Sequence, residues 1–193
     1  MKSFNFSNSI IARVIRGGIF VALLLSTPIS YGAADAIEIT NKLNSALIYK
    51  LTKFVRWPVI NASDSSYFHL CLLNNGEIPI EFKTLEDYQV QNLPIKVRSF
   101  KRSDMIDDNC HIVFIDRLKG PFIKDILANL AQRPILTVSN LIHFSETGGM
   151  LEIGTRNGKI NFQINLNSVN AAKLKISAAL LQLSTVVKSQ EVR

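Results

Sequence analysis

Short apolar runs alternate with helix-like segments between Phe68 and Val138, and this alternation constrains the fold more than any other feature. Four runs have the length of strands: 68–72, 95–100, 111–115 and 135–138. The run 111–115 is almost wholly apolar, which is typical of a strand covered on both faces. Helical patterns over 80–88 and from Pro121 onward separate the runs. Strands joined by helices form right-handed crossovers, so we predict a largely parallel sheet.

The last third of the chain has a different pattern. Residues 150–156 and 159–166 alternate apolar with polar side chains, and Asn157 and Gly158 between them suit the positive φ angles of a type I′ turn. We therefore predict an antiparallel hairpin with one buried face. A long C-terminal amphipathic helix with Ser168 as its N-cap is then predicted from an apolar stripe of Ala172, Ile176, Ala179, Leu180, Leu183 and Val187. Such a helix can pack on a second copy as readily as on its own sheet. The sequence therefore leaves both a monomer and a homodimer as alternatives.

The segment 37–57 carries apolar side chains at the spacing of a helix with one buried stripe, and Pro58 is expected to end it. The combined prediction is a single α/β domain. Its central sheet is mostly parallel and flanked by helices, with an antiparallel hairpin and a C-terminal amphipathic helix.

The N-terminus has the order of an export signal. Lys2, Arg13 and Arg16 are followed by the apolar run 19–25 and by small residues over 30–36. The run is shorter than the roughly 20 apolar residues of a membrane span. We therefore predict a signal peptide over 1–34, with cleavage somewhere in 32–36, and one soluble, exported domain over 35–193. The alternative is an N-terminal amphipathic or buried helix.

The charge of the chain argues against nucleic acid as a partner. The formal net charge is +7, but three of the 22 Lys and Arg residues precede residue 35, which leaves 19 against 15 Asp and Glu. The remaining cations are scattered, whereas proteins that track phosphates present a dense basic stripe. We expect no nucleic-acid binding.

No catalytic template is present. The chain has no HExxH, GxSxG, Walker, GxGxxG or CxxC motif, so we predict a protein that is not an enzyme, with no catalytic residues, cofactor or metal. Open α/β sheets bind ligands beyond the carboxyl ends of their strands. Asn75 and Arg117 follow two predicted strands, so a small-ligand site there is one hypothesis. For Arg117, a surface ion pair with Asp116 is the alternative.

Cys71 and Cys110 allow one intramolecular pairing, and an oxidising compartment favours a disulfide. The alternative is a metal site, since His69 and His111 lie beside the cysteines. On a strand, residues 110 and 111 point to opposite faces, so four ligands converge only if the strand is broken. This geometry favours the disulfide.

Seven pieces of the chain form a set whose order and spacing are specific together: LTKFVRWP at 51–58, FHLCLL at 68–73, CHIVFI at 110–115, PILTVS at 134–139, Phe144, GGM at 148–150 and INFQIN at 160–165. This set resembles the YfiR family. The resemblance implies a periplasmic α/β protein that represses a membrane diguanylate cyclase of the YfiN type and is sequestered by an outer-membrane lipoprotein of the YfiB type. Control of cyclic-di-GMP, and through it of biofilm formation, is the implied role.

The resemblance also implies that Cys71 and Cys110 form a disulfide that steadies the fold. Some relatives have a second cysteine pair around the Gly-Gly segment. This chain has Ser145 and Glu152 there, so redox switching through a second bridge is not carried over.

A regulator of this kind needs a surface for its partner. Binding residues concentrate on loops held by a rigid scaffold, and aromatic side chains are common anchors. We therefore predict partner contacts at Trp57, Phe144 and Met150, while a core position for Trp57 is the alternative. A small-ligand sensor without a cyclase partner is the competing hypothesis, and an exported enzyme is a third.

Overall fold

The structure is a computed structural model that describes residues 33–58 and 66–187. Contacts between Cα atoms group Ile37–Arg193 into one compact unit, which contains the sheet. The predicted signal peptide, 1–34, lies outside the described residues except for its last two, which begin the first helix. Within the described ranges, no helix is both long and apolar enough to cross a membrane.

The helices are α1 (Ala33–Leu51), α2 (Ile80–Lys83), α3 (Ile123–Leu130), α4 (Leu166–Ala171) and α5 (Ala178–Gln182). The strands are β1 (Val55–Arg56), β2 (Phe68–Leu73), β3 (Gln89–Val90), β4 (Leu93–Phe100), β5 (Cys110–Ile115), β6 (Leu136–Ser139), β7 (Leu151–Arg156), β8 (Lys159–Asn165), β9 (Lys175–Ile176) and β10 (Ser184–Val187). Short 3-10 helices cover Thr84–Asp87, Ser103–Met105 and Arg117–Phe122.

The main sheet has the strand order β10-β8-β7-β6-β5-β2-β4-β3. Along the run β4-β2-β5-β6-β7 each strand is parallel to the next, and β10 is parallel to β8. The pairs β7–β8 and β3–β4 are antiparallel. The predicted α/β class, the mostly parallel sheet and the hairpin are therefore confirmed.

Both faces of the sheet are covered, as the apolar run at 111–115 predicts. In β5, Ile112 and Phe114 join a core cluster that includes Ile48 and Leu51 of α1. Val113 and Ile115 of the same strand join a second cluster. This cluster also contains Ile123, Ile126 and Leu130 of α3. Successive side chains of a strand point to opposite faces, so α1 and α3 pack against opposite sides of the sheet.

The turn between β7 and β8 has the predicted geometry. Asn157 and Gly158 have φ angles of 52° and 71°, as both central positions of a type I′ turn require. The register pairs Arg156 with Lys159 next to the turn and Leu151 with Ile164 at the other end.

The first helix ends six residues earlier than predicted. α1 stops at Leu51, and a turn follows in which the Thr52 hydroxyl donates to the Tyr49 carbonyl at 2.7 Å. A side chain that bonds to the backbone in this way competes with helix propagation. Residues 55 and 56 then pair with 176 and 175 of β9, which draws them into a small antiparallel sheet.

The predicted long C-terminal helix is wrong. α4 ends in a turn in which Lys173 has a φ of 58°, and Leu174 donates its N–H to the carbonyl of Val169. Such a left-handed residue closes a helix. The N-cap of α4 is Asn165, whose side chain accepts from the N–H of Ser168, so the N-cap prediction for Ser168 is also wrong.

Beyond α4, the chain makes β9, α5 and β10 in place of one helix. The β-branched run Thr185, Val186 and Val187 favours a strand, and it pairs in parallel with β8 at the margin of the sheet. The argument for a homodimer through an unbroken apolar helix therefore no longer applies.

Candidate functional site

Parallel strands place the loops that follow them at a common margin of the sheet, here called the carboxyl edge. It comprises the residues after β2 (74–79), β4 (101–105), β5 (116–122) and β6 (140–149). Ligand sites of open α/β sheets lie at such an edge.

Asn74, directly after β2, organises the first of these loops. Its Oδ1 accepts from the Gly76 N–H at 2.8 Å and from the Ser99 hydroxyl at 2.7 Å, and its Nδ2 donates to the Glu77 carbonyl at 2.7 Å. Gly76 has a φ of 94°, which explains the glycine. Asn75 is exposed beside this turn and is where the sequence places it, after β2.

Asp116 fixes the loop after β5. Its carboxylate accepts from the Leu118 N–H at 2.8 Å and caps the 3-10 helix Arg117–Phe122. Arg117 is exposed at the start of that helix. Asn75 and Arg117 thus share the carboxyl edge, but neither lines the cleft described next. Ligand binding by these two residues stays a prediction.

The loop after β6 is compact and internally hydrogen-bonded. The Thr147 N–H and hydroxyl both donate to the His143 carbonyl, at 3.0 and 2.8 Å, and the Gly149 N–H donates to the Phe144 carbonyl at 2.9 Å. Phe144 is completely buried, and a Cβ on Gly149 would come within 2.2 Å of its ring. The loop therefore packs on the buried Phe144 ring, and only glycine at position 149 leaves room for this contact.

A buried carboxyl group ties this loop to the hairpin. Glu152, in β7, is 3% exposed, and its Oε2 accepts from both the N–H and the hydroxyl of Ser145 at 3.2 Å. Its Oε1 accepts from Gln163 Nε2 at 3.1 Å. Asn165 Nδ2 in β8 donates to the Ser145 carbonyl at 2.9 Å. Buried polar networks with satisfied partners rigidify the segments that they join.

A cleft of about 660 Å³ opens between this loop and α3. Its lining is mixed in character: Lys124, Leu127, Ala128, His143, Glu146, Thr147 and Gly148. His143 Nδ1 lies 3.0 Å from Glu146 Oε2. The cleft thus offers a cation, a carboxylate and an imidazole around an apolar floor, which suits a polar segment or a small ligand.

The predicted partner contacts are not at the surface. Trp57 is 8% exposed, Phe144 0% and Met150 4%, so the expectation that these are exposed anchors is wrong. Trp57 packs edge-on against Phe68 and donates its Nε1–H to the His111 carbonyl at 2.9 Å. Phe144 and Met150 face inward because they fill the space beneath the loop 140–149.

Cys71 and Cys110 form a disulfide between β2 and β5, with their Cα atoms 6.0 Å apart. Both sulfur atoms are consumed, so the alternative site with two thiolate ligands is not realised. The flanking imidazoles have another arrangement: His111 Nδ1 accepts from the His69 backbone N–H at 3.0 Å, and the two rings stack with centroids 6.2 Å apart. Burial, and secondarily the His69 charge, lower the pKa of His111 to about 4.

Several residues of this site escape the sequence analysis. Glu152 stands between Leu151 and Ile153 in an alternating strand, a pattern that predicts an exposed carboxylate. His143 and Glu146 are three positions apart in the chain. In a polar loop this spacing alone is a weak signal of a functional pair.

Most of the chain is similar in sequence to one known protein family. No curated protein matches the chain significantly. Residues 41–185 match the YfiR/HmsC-like family, a span that runs from α1 into β10 and covers well over half of the chain. The resemblance seen in the sequence is thereby confirmed. The chain belongs to the YfiR/HmsC-like family.

Proposed function

We propose that this chain is an exported periplasmic protein that lowers cyclic-di-GMP signalling by binding the periplasmic part of a membrane diguanylate cyclase of the YfiN type. The observation that carries the proposal is the family match over 41–185. The Cys71–Cys110 disulfide supports the compartment, because such bonds persist where the environment is oxidising. An outer-membrane lipoprotein of the YfiB type would act by competing with the cyclase for this regulator.

The best-supported contact surface is the exposed side of the loop 140–149 together with the cleft that it forms with α3. Phe144 and Glu152 hold this loop from below. A loop that is already ordered loses little conformational entropy on binding, which favours affinity. Lys124, His143 and Glu146 supply the charges that would orient a partner segment.

Inhibition requires more than binding. A regulator with equal affinity for the active and inactive states of the cyclase shifts nothing, however tightly it binds. The proposed surface must therefore recognise an arrangement of the periplasmic part that exists mainly in the inactive cyclase. A rigid loop suits this task, because it cannot adapt equally well to two different shapes.

A second candidate function is a small-ligand sensor without a cyclase partner. The size of the cleft, about 660 Å³, lies in the range of small-molecule sites, and its polar groups converge from α3 and the loop. A ligand in this cleft would occupy the surface proposed for the cyclase. The two functions are thus distinguishable by competition.

The test is inhibition of reconstituted cyclase. Membrane diguanylate cyclases of the YfiN type from the native host are placed in nanodiscs, the purified protein is titrated in, and the rate of cyclic-di-GMP synthesis is measured. We expect inhibition by the wild type, and half-inhibition at a concentration at least about tenfold higher for Glu146→Lys and Lys124→Glu, because each puts a like charge into the contact. Asp87→Lys reverses an exposed charge at the end of the 3-10 helix Thr84–Asp87, and this variant should inhibit like the wild type.

Three other outcomes are informative. Undiminished inhibition by both cleft variants would overturn the proposed surface but not the target. Absence of inhibition with every cyclase would overturn the target. A thermal shift of the purified protein with a small-molecule panel, abolished by both cleft variants, would then support the sensor function.

A further inference from the structure

Large apolar side chains stand exposed on three neighbouring loops of the carboxyl edge. Met105 is 59% exposed after β4, Leu118 and Phe122 are 66% and 62% exposed after β5, and Ile142 is 77% exposed after β6. Each is more than half in solvent, so none is sheltered by the others. Single exposed apolar residues are common, but four on these three loops call for an explanation.

The three loops form one continuous surface, here called the loop-tip surface and defined as residues 101–105, 116–125 and 140–143. Lys119 Nζ donates to the Lys101 carbonyl at 3.0 Å, which links the first two loops. Phe122 also shares a cleft of about 380 Å³ with Lys101. A Cβ added to Gly120 would lie 3.3 Å from a methyl group of Leu141, so the second and third loops are also in contact.

Cations surround these apolar side chains. The loop-tip surface carries five: Lys101, Arg102, Arg117, Lys119 and Lys124. Its carboxylates are fewer: Asp104, Asp116 and Asp125. Asp104 is paired with Arg102, so these two charges offset each other, and Asp116 caps the backbone of its own loop. The surface therefore carries two more positive than negative side chains.

The β7–β8 hairpin extends past the same edge. β7 is parallel to β6 and pairs Glu152 with Ser139, the last residue of β6, so residues 153–156 continue beyond it. The hairpin adds exposed Arg156 and Lys159 next to its turn. No carboxylate lies between residues 153 and 165, so the excess of positive charge extends onto the hairpin.

We propose that the loop-tip surface docks the protein onto an anionic phospholipid surface. Cations near such a surface are attracted to the headgroups, while apolar side chains on loops insert between them. A protein partner would need four separate pockets for side chains that project from separate loops, whereas a fluid headgroup layer adapts to each. The Asp116 cap and Pro121 already order the loop after β5, so this loop loses little conformational entropy on docking.

The proposal goes beyond cyclase regulation and does not depend on it. Docking would confine the protein to the membrane surface whatever its partner there is. The experiment accordingly contains lipid and protein only, so its failure leaves the cyclase proposal intact.

The experiment is vesicle co-sedimentation of the purified protein. We expect binding to mixed phosphatidylglycerol–phosphatidylcholine vesicles, little binding to pure phosphatidylcholine, and weakening by salt, since exposed charges are screened. The double variant Leu118→Ser, Phe122→Ser should bind at least about tenfold more weakly, because both side chains lose their apolar insertion. Arg117→Glu, Lys124→Glu should weaken binding by a similar factor.

Matched variants elsewhere control for fold and total charge. Ile39→Ser, Leu43→Ser removes two exposed apolar side chains from α1. Lys53→Glu, Lys175→Glu reverses two exposed cations outside the loop-tip surface, one just before β1 and the other in β9. Both pairs should bind vesicles like the wild type, and a circular-dichroism melt should show that each protein is folded.

Fluorescence gives a second readout of insertion. The chain has one tryptophan, Trp57, which is buried and supplies a constant background. In Phe122→Trp, we expect the emission of the added tryptophan to shift to the blue on the anionic vesicles. In Tyr67→Trp, where the new tryptophan lies just before β2, the emission should not shift. No binding to anionic vesicles would overturn the proposal. Binding that the Leu118 and Phe122 substitutions leave unchanged, without a blue shift at 122, would overturn it too.

Discussion

Single residues at the centre of the sheet decide much of its stability. The Cys71–Cys110 disulfide closes a loop with a sequence separation of 39 and has both half-cystines buried. In the chain-entropy account, closing a loop of this length stabilises by about 4 kcal/mol. We predict that Cys71→Ala, Cys110→Ala loses about 3–4 kcal/mol of unfolding free energy in urea denaturation. A loss below about 1 kcal/mol would show that the bridge is incidental to the fold.

His111, next to Cys110, should make stability depend on pH. Its Nδ1 accepts the His69 N–H, which only the neutral imidazole can do, and its pKa in the folded protein is lowered to about 4 by burial. In the unfolded chain the ordinary pKa is 6.5. Between pH 6.5 and 4 the unfolded state therefore binds more protons than the folded state. The contribution of His111 to the free energy of unfolding is thus fully present above pH 6.5 and is lost as the pH drops towards 4.

The check is a series of denaturation curves between pH 7.5 and 4. We predict that His111→Asn, whose side-chain oxygen can accept the same N–H without titrating, shows a shallower fall in stability than the wild type. Equal slopes for the two proteins would contradict the assignment to His111.

At the scale of elements, the loop 140–149 is closed by its contact between Gly149 and Phe144. We predict that Gly149→Ala costs about 1–3 kcal/mol, because the new methyl group overlaps a ring that has no room to move. Gly120→Ala meets only a half-buried leucine methyl at 3.3 Å and should lie within roughly 0.5 kcal/mol of the wild type. Equal losses of unfolding free energy for the two variants in chemical denaturation would argue against a tight contact between Gly149 and Phe144.

The same loop is held from the hairpin by Glu152. Glu152→Met keeps the length of the side chain but has no acceptor oxygen, so the buried N–H and hydroxyl of Ser145 lose their acceptor. We predict a loss of about 1–3 kcal/mol of unfolding free energy and faster hydrogen exchange at the Ser145 amide. Glu146→Met, on the outer side of the loop, should leave that exchange rate nearly unchanged. Unaltered exchange in Glu152→Met would contradict the anchoring role.

The elements differ in how well the sequence predicts them, and the reasons are local. The hairpin is predicted correctly because Asn157 and Gly158 meet a strict backbone requirement. The C-terminal helix fails because helical spacing of apolar residues also fits short pieces, and pairing with β1 and β8 outweighs weak local preferences. The buried position of Glu152 depends on donors from β8 and from the loop, which no local pattern contains.

At the scale of the whole molecule, the disulfide-linked sheet acts as a rigid support for the carboxyl edge. That edge carries both the cleft beside the loop 140–149 and the loop-tip surface. Docking on lipid would bring the cleft close to the membrane, where the periplasmic part of a cyclase begins. Under the proposed function, a rigid support would also let the protein discriminate between the states of that cyclase, as inhibition requires.

The most direct test of the central claim is intracellular cyclic-di-GMP in the native host. The level is measured with and without the gene, and after complementation with the full chain or with a copy that lacks residues 1–34. We predict that deletion raises the nucleotide and that only the full chain restores the wild-type level, because the proposed repression acts from the periplasmic side. An unchanged level after deletion, or restoration by the shortened copy, would contradict the account.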